Sequence, residues 1–99
     1  MARLLYFIKV PRPFGKTEYY IVEWSTVIDQ AVGVRKVNKE EWEKELEKYV
    51  DHMYEVYRKE GVEITKDQLR KMSVKKGRIV KQNGKNYIIW RERVTVLFP

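Results

Sequence analysis

The chain has 99 residues, of which 43% are hydrophobic and 35% charged, with a formal net charge of +7 and no cysteine. This length suits one domain with one core, residues 1–99, and charges interleaved with apolar residues argue against a disordered chain. The absence of cysteine excludes disulfides and thiolate-bound metals.

The positive charge is concentrated towards the C-terminus. Residues 61–99 carry ten basic and three acidic side chains, whereas residues 38–60 carry five basic and eight acidic ones. The C-terminal third is therefore the part of the chain suited to an anionic partner.

The N-terminal segment predicts a β-hairpin. Residues 3–10 and 18–24 are rich in aromatic and branched side chains, and the stretch PRPFGK between them has the composition of a loop. Parity places Tyr20, Val22 and Trp24 on one face of the second strand, and Tyr19, Ile21 and Glu23 on the other.

Residues 25–37 allow two interpretations. Thr26 and Asp29 favour a short helix that ends at Gly33. The same residues also fit a bulged continuation of the strand, and the sequence leaves both open.

The clearest pattern is an amphipathic helix that begins after Asn38 and ends at Gly61. Asn38 has an N-cap side chain, Glu41 stands at the capping-box position, and Gly61 suits the left-handed residue that ends a helix. Apolar residues recur at helical spacing in one stripe: Trp42, Leu46, Tyr49, Val50, Met53, Tyr54, Val56 and Tyr57. The stripe is wide enough to overhang the core and pack on a second subunit, which would make the protein a homodimer.

A short helix and a second hairpin follow. Thr65 and Gln68 repeat the capping-box spacing and predict a helix of about two turns over residues 65–72. Asn83-Gly84, between two β-rich runs, is typical of a type I′ turn, which needs positive φ at both positions.

The Asn83-Gly84 turn determines which side chains of this hairpin share a face. The pairs that it predicts are Gln82 with Lys85, Val80 with Tyr87, Arg78 with Ile89 and Lys76 with Arg91. We assign the apolar face to the core: Ile79, Ile88, Trp90, Val94, Val96 and Phe98. The opposite face is basic: Lys76, Arg78, Gln82, Lys85, Tyr87, Arg91, Arg93 and Thr95.

This basic face is the candidate functional site. Lysine and arginine neutralise phosphates, and an aromatic ring among them stacks on a base. The residues predicted to bind nucleic acid are Lys76, Arg78, Lys85, Tyr87, Arg91 and Arg93. The other interpretation is a solvated outer face whose charges discourage edge-to-edge pairing.

The sequence offers little for catalysis or metal binding. Ser25 and Ser73 lack a nucleophile-elbow setting, and the five glycines stand singly rather than in a phosphate-binding loop. The one histidine, His52, has too few neighbouring ligands for a metal site, and we interpret it as half-buried beside the apolar stripe. We therefore expect a non-enzymatic protein without a metal or cofactor.

Several features of the whole chain together resemble those of a known group of proteins. The features that carry the resemblance are a cysteine-free basic chain of this size, the helix NKEEWEKELEKYVDHMYEVYRKEG, and the aromatic strands EYYIVEW and NYIIWRERVTVLF. It is similar to the small uncharacterised proteins of filamentous viruses of hyperthermophilic archaea, the lipothrixviruses and rudiviruses. The resemblance implies a fold without close relatives, high thermal stability, and a viral accessory or virion-associated protein in the host cell. It implies no binding or catalytic residue.

Taken together, the patterns predict an α+β fold. An antiparallel sheet, made from the N-terminal and C-terminal hairpins, packs on the long helix, with the short helix beside it. The expected function is a small basic binding protein with nucleic acid as its ligand; the alternative is a structural or regulatory module that binds another protein. Because the apolar run before Lys9 is too short for a signal peptide or a membrane span, we expect a cytoplasmic protein without a membrane partner.

Overall fold

Seven strands and two helices make up the part of the chain that the structure describes. The computed structural model describes residues 3–91 and 93–96, and only the backbone of residues 94–96. The elements are β1 (Arg3–Val10), β2 (Glu18–Ser25), β3 (Gln30–Val37), α1 (Lys39–Lys59), α2 (Lys66–Ser73), β4 (Val74–Lys76), β5 (Arg78–Gln82), β6 (Lys85–Trp90) and β7 (Arg93–Val96). The α+β class is confirmed, with both hairpins, the long helix and the short helix in their predicted places.

The strands form two sheets. The first has the order β3-β2-β1-β4, and its last strand is parallel to β1; the second is antiparallel with the order β5-β6-β7. The two hairpins, which we expected in one antiparallel sheet, therefore lie in separate sheets. The chain leaves the first sheet at Gly77, whose N–H donates to the carbonyl of Lys9 at 2.8 Å, and it pairs in the second sheet from Arg78 onward.

The first sheet is covered on both faces. In β1 and β2 the even-numbered side chains, such as Ile8 and Val22, pack with Ile88 and Trp90 of the second sheet. The odd-numbered side chains of these strands pack on the helices: Phe7 and Ile21 with Trp42, Leu46, Val50 and Leu69. The two faces that parity predicted for β2 are confirmed, and both belong to the core.

Residues 25–37 form a turn and the edge strand β3. The register with β2 shifts between Glu23 and Trp24, which is a bulge, and the chain then reverses through residues 26–29. Asp29 has a positive φ of 53° and accepts a hydrogen bond from the Trp24 indole at 3.1 Å. The helical interpretation is wrong for this segment, because this turn directs the chain back along β2.

The N-caps of both helices form as the sequence predicts, but the capping box forms only in α2, since the Glu41 carboxylate lies 3.6 Å from Arg35 instead. The Asn38 side chain accepts from the Glu41 N–H at 2.8 Å. In α2, Thr65 accepts from the Gln68 N–H at 3.1 Å, and the Gln68 side chain accepts from the Thr65 N–H at 2.9 Å, which completes the capping box. These caps fix where each helix begins.

An ion cluster around Glu18 ties the loop after β1 to the edge strand. The Glu18 carboxylate accepts from Arg12 at 2.6 Å and from Lys36 at 2.7 Å. The hydrogen bond from Lys36, assisted by Arg12, holds the pKa of Glu18 below its ordinary value. Its stabilising contribution is therefore present above the unfolded-state pKa and is lost as pH falls through the folded-state pKa.

We expect Glu18→Gln to lower the free energy of unfolding at neutral pH by about 1 kcal/mol or less, since partly exposed ion pairs contribute little. The gap between wild type and variant should close as pH falls below about 4.3, the ordinary glutamate value. Urea unfolding over a pH series measures this gap. Glu43→Gln, at a position that forms no ion pair with a described residue, is the control; a pH-independent gap for Glu18→Gln would contradict the expectation.

Candidate nucleic-acid interface

The hairpin of β5 and β6 has the register that its turn predicts. Asn83 and Gly84 both have positive φ, 53° and 75°, and Gln82 pairs with Lys85. The side chains of Ile79, Ile88 and Trp90 enter the core between the sheets. Alternation therefore leaves Arg78, Gln82, Lys85, Tyr87 and Ile89 on the outer face, as the sequence predicted.

Lys76 and Arg91 do not form the predicted pair. Lys76 pairs with Lys9 in the first sheet, and the antiparallel register of the hairpin starts one residue beyond Gly77, with Arg78 opposite Ile89. Strand β6 ends at Trp90, and Arg91 begins a turn with a φ of 55°. Both cations are exposed, but Lys76 shares with Lys9 the helix side of the first sheet, and Arg91 lies in the turn after β6.

Arg93 lies on the inner side of the second sheet, so its predicted place on the basic face is wrong. The chain reverses after Trp90, and Arg93 pairs with that residue in β7. Its guanidinium lies 4.4 Å from the ring centroid of Trp24 and 5.6 Å from that of Tyr6, with Nη1 3.8 Å from the Asp29 carboxylate. The sequence interpretation placed residues 91–93 in one continuous strand. The chain in fact turns there, and the turn changes which side of the sheet the following residues face. The predicted orientations of the Val94, Thr95 and Val96 side chains, and Phe98 altogether, lie outside the described residues.

A basic cleft opens beside this turn. It has a volume of about 370 Å³ and lies between the end of α2, strand β4 and the end of β6. Four cations line it, together with Tyr6, Met72 and Trp90: Lys71, Lys75, Arg91 and Arg93. Sequence reasoning missed Lys71 and Lys75; the signal available for them was their place in the strongly basic C-terminal third.

Lys75 is the cation of this cleft whose surroundings disfavour its charged form. It is half-buried, and burial lowers its pKa, with a further lowering from the positive charge of Arg91. Lys75 also lines a neighbouring apolar cleft of about 390 Å³, where Lys9 and Lys76 stand beside it. Lys9, Lys75 and Lys76 therefore bring further positive charge to the β4 edge of the first sheet.

Unpaired cations are most frequent towards the C-terminus of the chain. Described carboxylates pair with nine cations: Arg3, Arg12, Arg35, Lys36, Lys48, Arg58, Lys66, Arg70 and Arg93. The other twelve form no ion pair with any described carboxylate, and seven of these lie between Lys71 and Arg91. Apart from Lys81, which alternation places on the same side of β5 as Ile79, we name these residues the basic surface: Lys71, Lys75, Lys76, Arg78, Lys85 and Arg91. Arg91 belongs to the cleft and also lies next to the outer face of the hairpin, because it lines the cleft and follows the strand whose Ile89 opposes Arg78.

The remaining candidates from the sequence occupy ordinary structural positions. His52 is exposed on α1, so its half-buried interpretation is wrong. Ser25 and Ser73 are buried. Within residues 3–91 and 93–96, no three histidine, aspartate or glutamate side chains meet in a metal-binding arrangement. None of the described helices combines the length and the apolar character needed to cross a membrane.

The apolar stripe of α1 is largely used inside the protomer. Tyr49, Met53, Tyr54 and Tyr57 are half-buried and pack on the helix-side core. The large apolar side chains that are exposed lie mainly in loops and at the edge strand, with Phe14 fully exposed and Val27 77% exposed. The four α1 side chains are thus both in the core and partly exposed, and the homodimer expected from the stripe stays a prediction.

Comparison of the chain with protein-family models, curated proteins and solved structures finds no match.

Proposed function

We propose that this protein binds nucleic acid through the basic surface and acts without catalysing a reaction. The observation that carries the proposal is the concentration of unpaired positive charge in one part of the chain: the six cations of the basic surface face solvent or a cleft without a described carboxylate partner. Exposed cations without a carboxylate partner suit a polyanion, because neutralising phosphates releases condensed counterions.

The shape of the surface supports a single strand as the ligand. Tyr87 lies on the outer face between the rows of Arg78 and Lys85, where its ring is half-buried and held by the sheet. Aromatic rings set among cations on a sheet serve as stacking platforms that tolerate any base. The resemblance to proteins of filamentous archaeal viruses supports an accessory role on nucleic acid in the cytoplasm of the host cell.

We expect binding to be strongly salt-dependent and to be lost when the charge of the basic surface is reversed. Arg78→Glu with Arg91→Glu should weaken binding at least about tenfold and reduce the slope of log affinity against log salt by about 2. Fluorescence anisotropy with labelled single-stranded DNA, duplex DNA and RNA at several salt concentrations measures both quantities.

The matched control is Lys39→Glu with Lys44→Glu, which makes the same charge change on the exposed side of α1. This control should retain the affinity of the wild type within about threefold, since long-range effects of exposed charges are screened beyond about 10 Å at 0.1 M salt. Failure of the wild type to bind any of the three nucleic acids at low salt would refute the proposal. So would an equal loss in both double variants.

The alternative is a protein partner, and the open edge of the first sheet favours it. Strand β3 has a described neighbour on one side only; Ile28, just before it, is 56% exposed, and Val32, within it, is 40% exposed. An unpaired edge accepts a further strand, from another protein or from a second copy. A concentration-dependent dimer in sedimentation, with no nucleic-acid binding, would favour this function over the first.

A further inference from the structure

The basic cleft differs from the rest of the basic surface because it is concave. Lys71 at the end of α2 and Lys75 in the following strand β4 meet there with Arg91, which comes after β6 and is distant from them in the sequence. The parallel pairing of β4 with β1 sets this convergence, since it brings Lys75 opposite Ile8 and so beside the second sheet that packs on Ile8.

We propose that this cleft binds a phosphomonoester group, as carried by the end of a nucleic-acid strand or by a free nucleotide. The inference deepens the proposed function, and it rests on that function where the phosphate is the end of a bound strand. It assigns the cleft a task different from that of the outer face, where Arg78 and Lys85 contact phosphates along the strand.

The charge of the cleft suits a phosphomonoester better than an internal phosphate. Three cations stand there without a described carboxylate partner, while the fourth, Arg93, is 3.8 Å from Asp29. A phosphomonoester carries a charge of about −1.5 to −2 at neutral pH, whereas each internal phosphate of a strand carries about −1. Convergent cations therefore discriminate in favour of the doubly charged group.

The size of the cleft supports the same ligand. Its volume of about 370 Å³ lies at the low end of the range of about 300–1,000 Å³ typical of small-molecule sites. Such a space admits a phosphate with its sugar. Tyr6 and Met72 line the cleft beside the cations and offer apolar contact to the sugar.

Lys75 is the residue that a bound phosphate would change most. Half-buried, and next to the charge of Arg91, its ammonium group lacks a described anionic partner. A phosphate in the cleft would supply that partner and offset both the loss of solvent and the repulsion from Arg91. The bound group should therefore raise the pKa of Lys75, which gives the site a signal of its own.

The test compares single strands of one sequence that end in a 5′-phosphate, a 3′-phosphate or hydroxyl groups only. A phosphorylated end should tighten binding about tenfold, the effect of one or two charge-assisted hydrogen bonds. Lys75→Met, which keeps the apolar stem, should remove this advantage. Lys85→Met, on the outer face, should weaken all strands alike and keep it.

Two further arms separate the possible sources and failures. Titration of the wild type with a nucleoside monophosphate and with inorganic phosphate, followed by the NMR signal of Lys75 Nζ, reports the cleft directly. Saturable binding of the monophosphate at Lys75 would support a free-nucleotide source.

Equal affinity for all three strand ends, together with no shift of the Lys75 signal, would overturn the inference and leave the proposed function intact. If no strand binds but the Lys75 signal shifts with the monophosphate, the proposed function fails and the cleft assignment stands. If Lys75→Met does not fold, Lys71→Met provides the same comparison.

Discussion

Replacing Gly77 with alanine should destabilise the protein by about 1–3 kcal/mol, the usual cost of forcing an added methyl group into a packed core. A Cβ at this position would lie 2.6 Å from Cγ2 of Ile8 and 3.1 Å from the carbonyl oxygen of Ile89. Ile8 is fully buried between the two sheets, and the second contact is backbone, so neither neighbour moves freely. The glycine is required because the chain crosses here from the first sheet to the second with no room for a side chain.

The matched control for this prediction is Gly15→Ala. The nearest heavy atom to a Cβ at Gly15 is Cβ of Arg12 at 3.9 Å, an ordinary contact in the loop before β2. That substitution should change the free energy of unfolding by about 0.5 kcal/mol or less, as surface changes usually do. Urea unfolding of both variants measures the two effects. Similar small values would mean that the sheets are not in close contact at Gly77.

Local patterns in the sequence predicted the elements and several of their contacts. The Asn38 cap, the Thr65–Gln68 capping box and the Asn83-Gly84 turn each depend on groups within a few residues of one another. For the same reason the register of the β5–β6 hairpin and its outer face followed from the turn alone. These features needed no knowledge of the rest of the fold.

The arrangement of the sheets could not be predicted in this way. A single glycine such as Gly77 does not reveal whether it is needed for a turn, a bulge or a close approach, since that depends on what lies across from it. One signal was present in the sequence: strands 3–10 and 18–24 are almost continuously apolar, which is typical of strands covered on both faces. It would have indicated a second layer opposite the helices.

The candidate site shows the same division between local and distant information. Arg78, Lys85 and Tyr87 could be placed by the hairpin turn. Arg93 was misplaced, because the chain reverses after Trp90 at a turn where Arg91, a residue that rarely adopts positive φ, takes the left-handed conformation. Lys75 was missed, because its neighbours in the cleft come from the parallel pairing of β4 with β1, a contact between distant parts of the chain.

Replacing the buried tryptophans of the two core layers with phenylalanine, which removes the indole nitrogen, should lower the free energy of unfolding by different amounts. Trp42 and Trp90 are both buried, 3% and 1% exposed. The Nε1 of Trp42 donates to the carbonyl of Tyr20 at 3.1 Å, whereas that of Trp90 has no hydrogen-bond partner among the described residues. Leaving a buried donor unpaired costs about 1–3 kcal/mol, and a satisfied hydrogen bond contributes about 1 kcal/mol.

We therefore expect Trp42→Phe to destabilise the protein by about 1–3 kcal/mol more than Trp90→Phe does. Each variant loses the same atoms, so the loss of buried volume is similar in both. Only the change at Trp42 also breaks a hydrogen bond, while the change at Trp90 removes an unpaired N–H from the core. Urea unfolding followed by far-ultraviolet circular dichroism measures the difference without relying on tryptophan fluorescence. Equal losses would contradict the expectation, because they would mean that the Trp90 indole also has a hydrogen-bond partner in the folded protein.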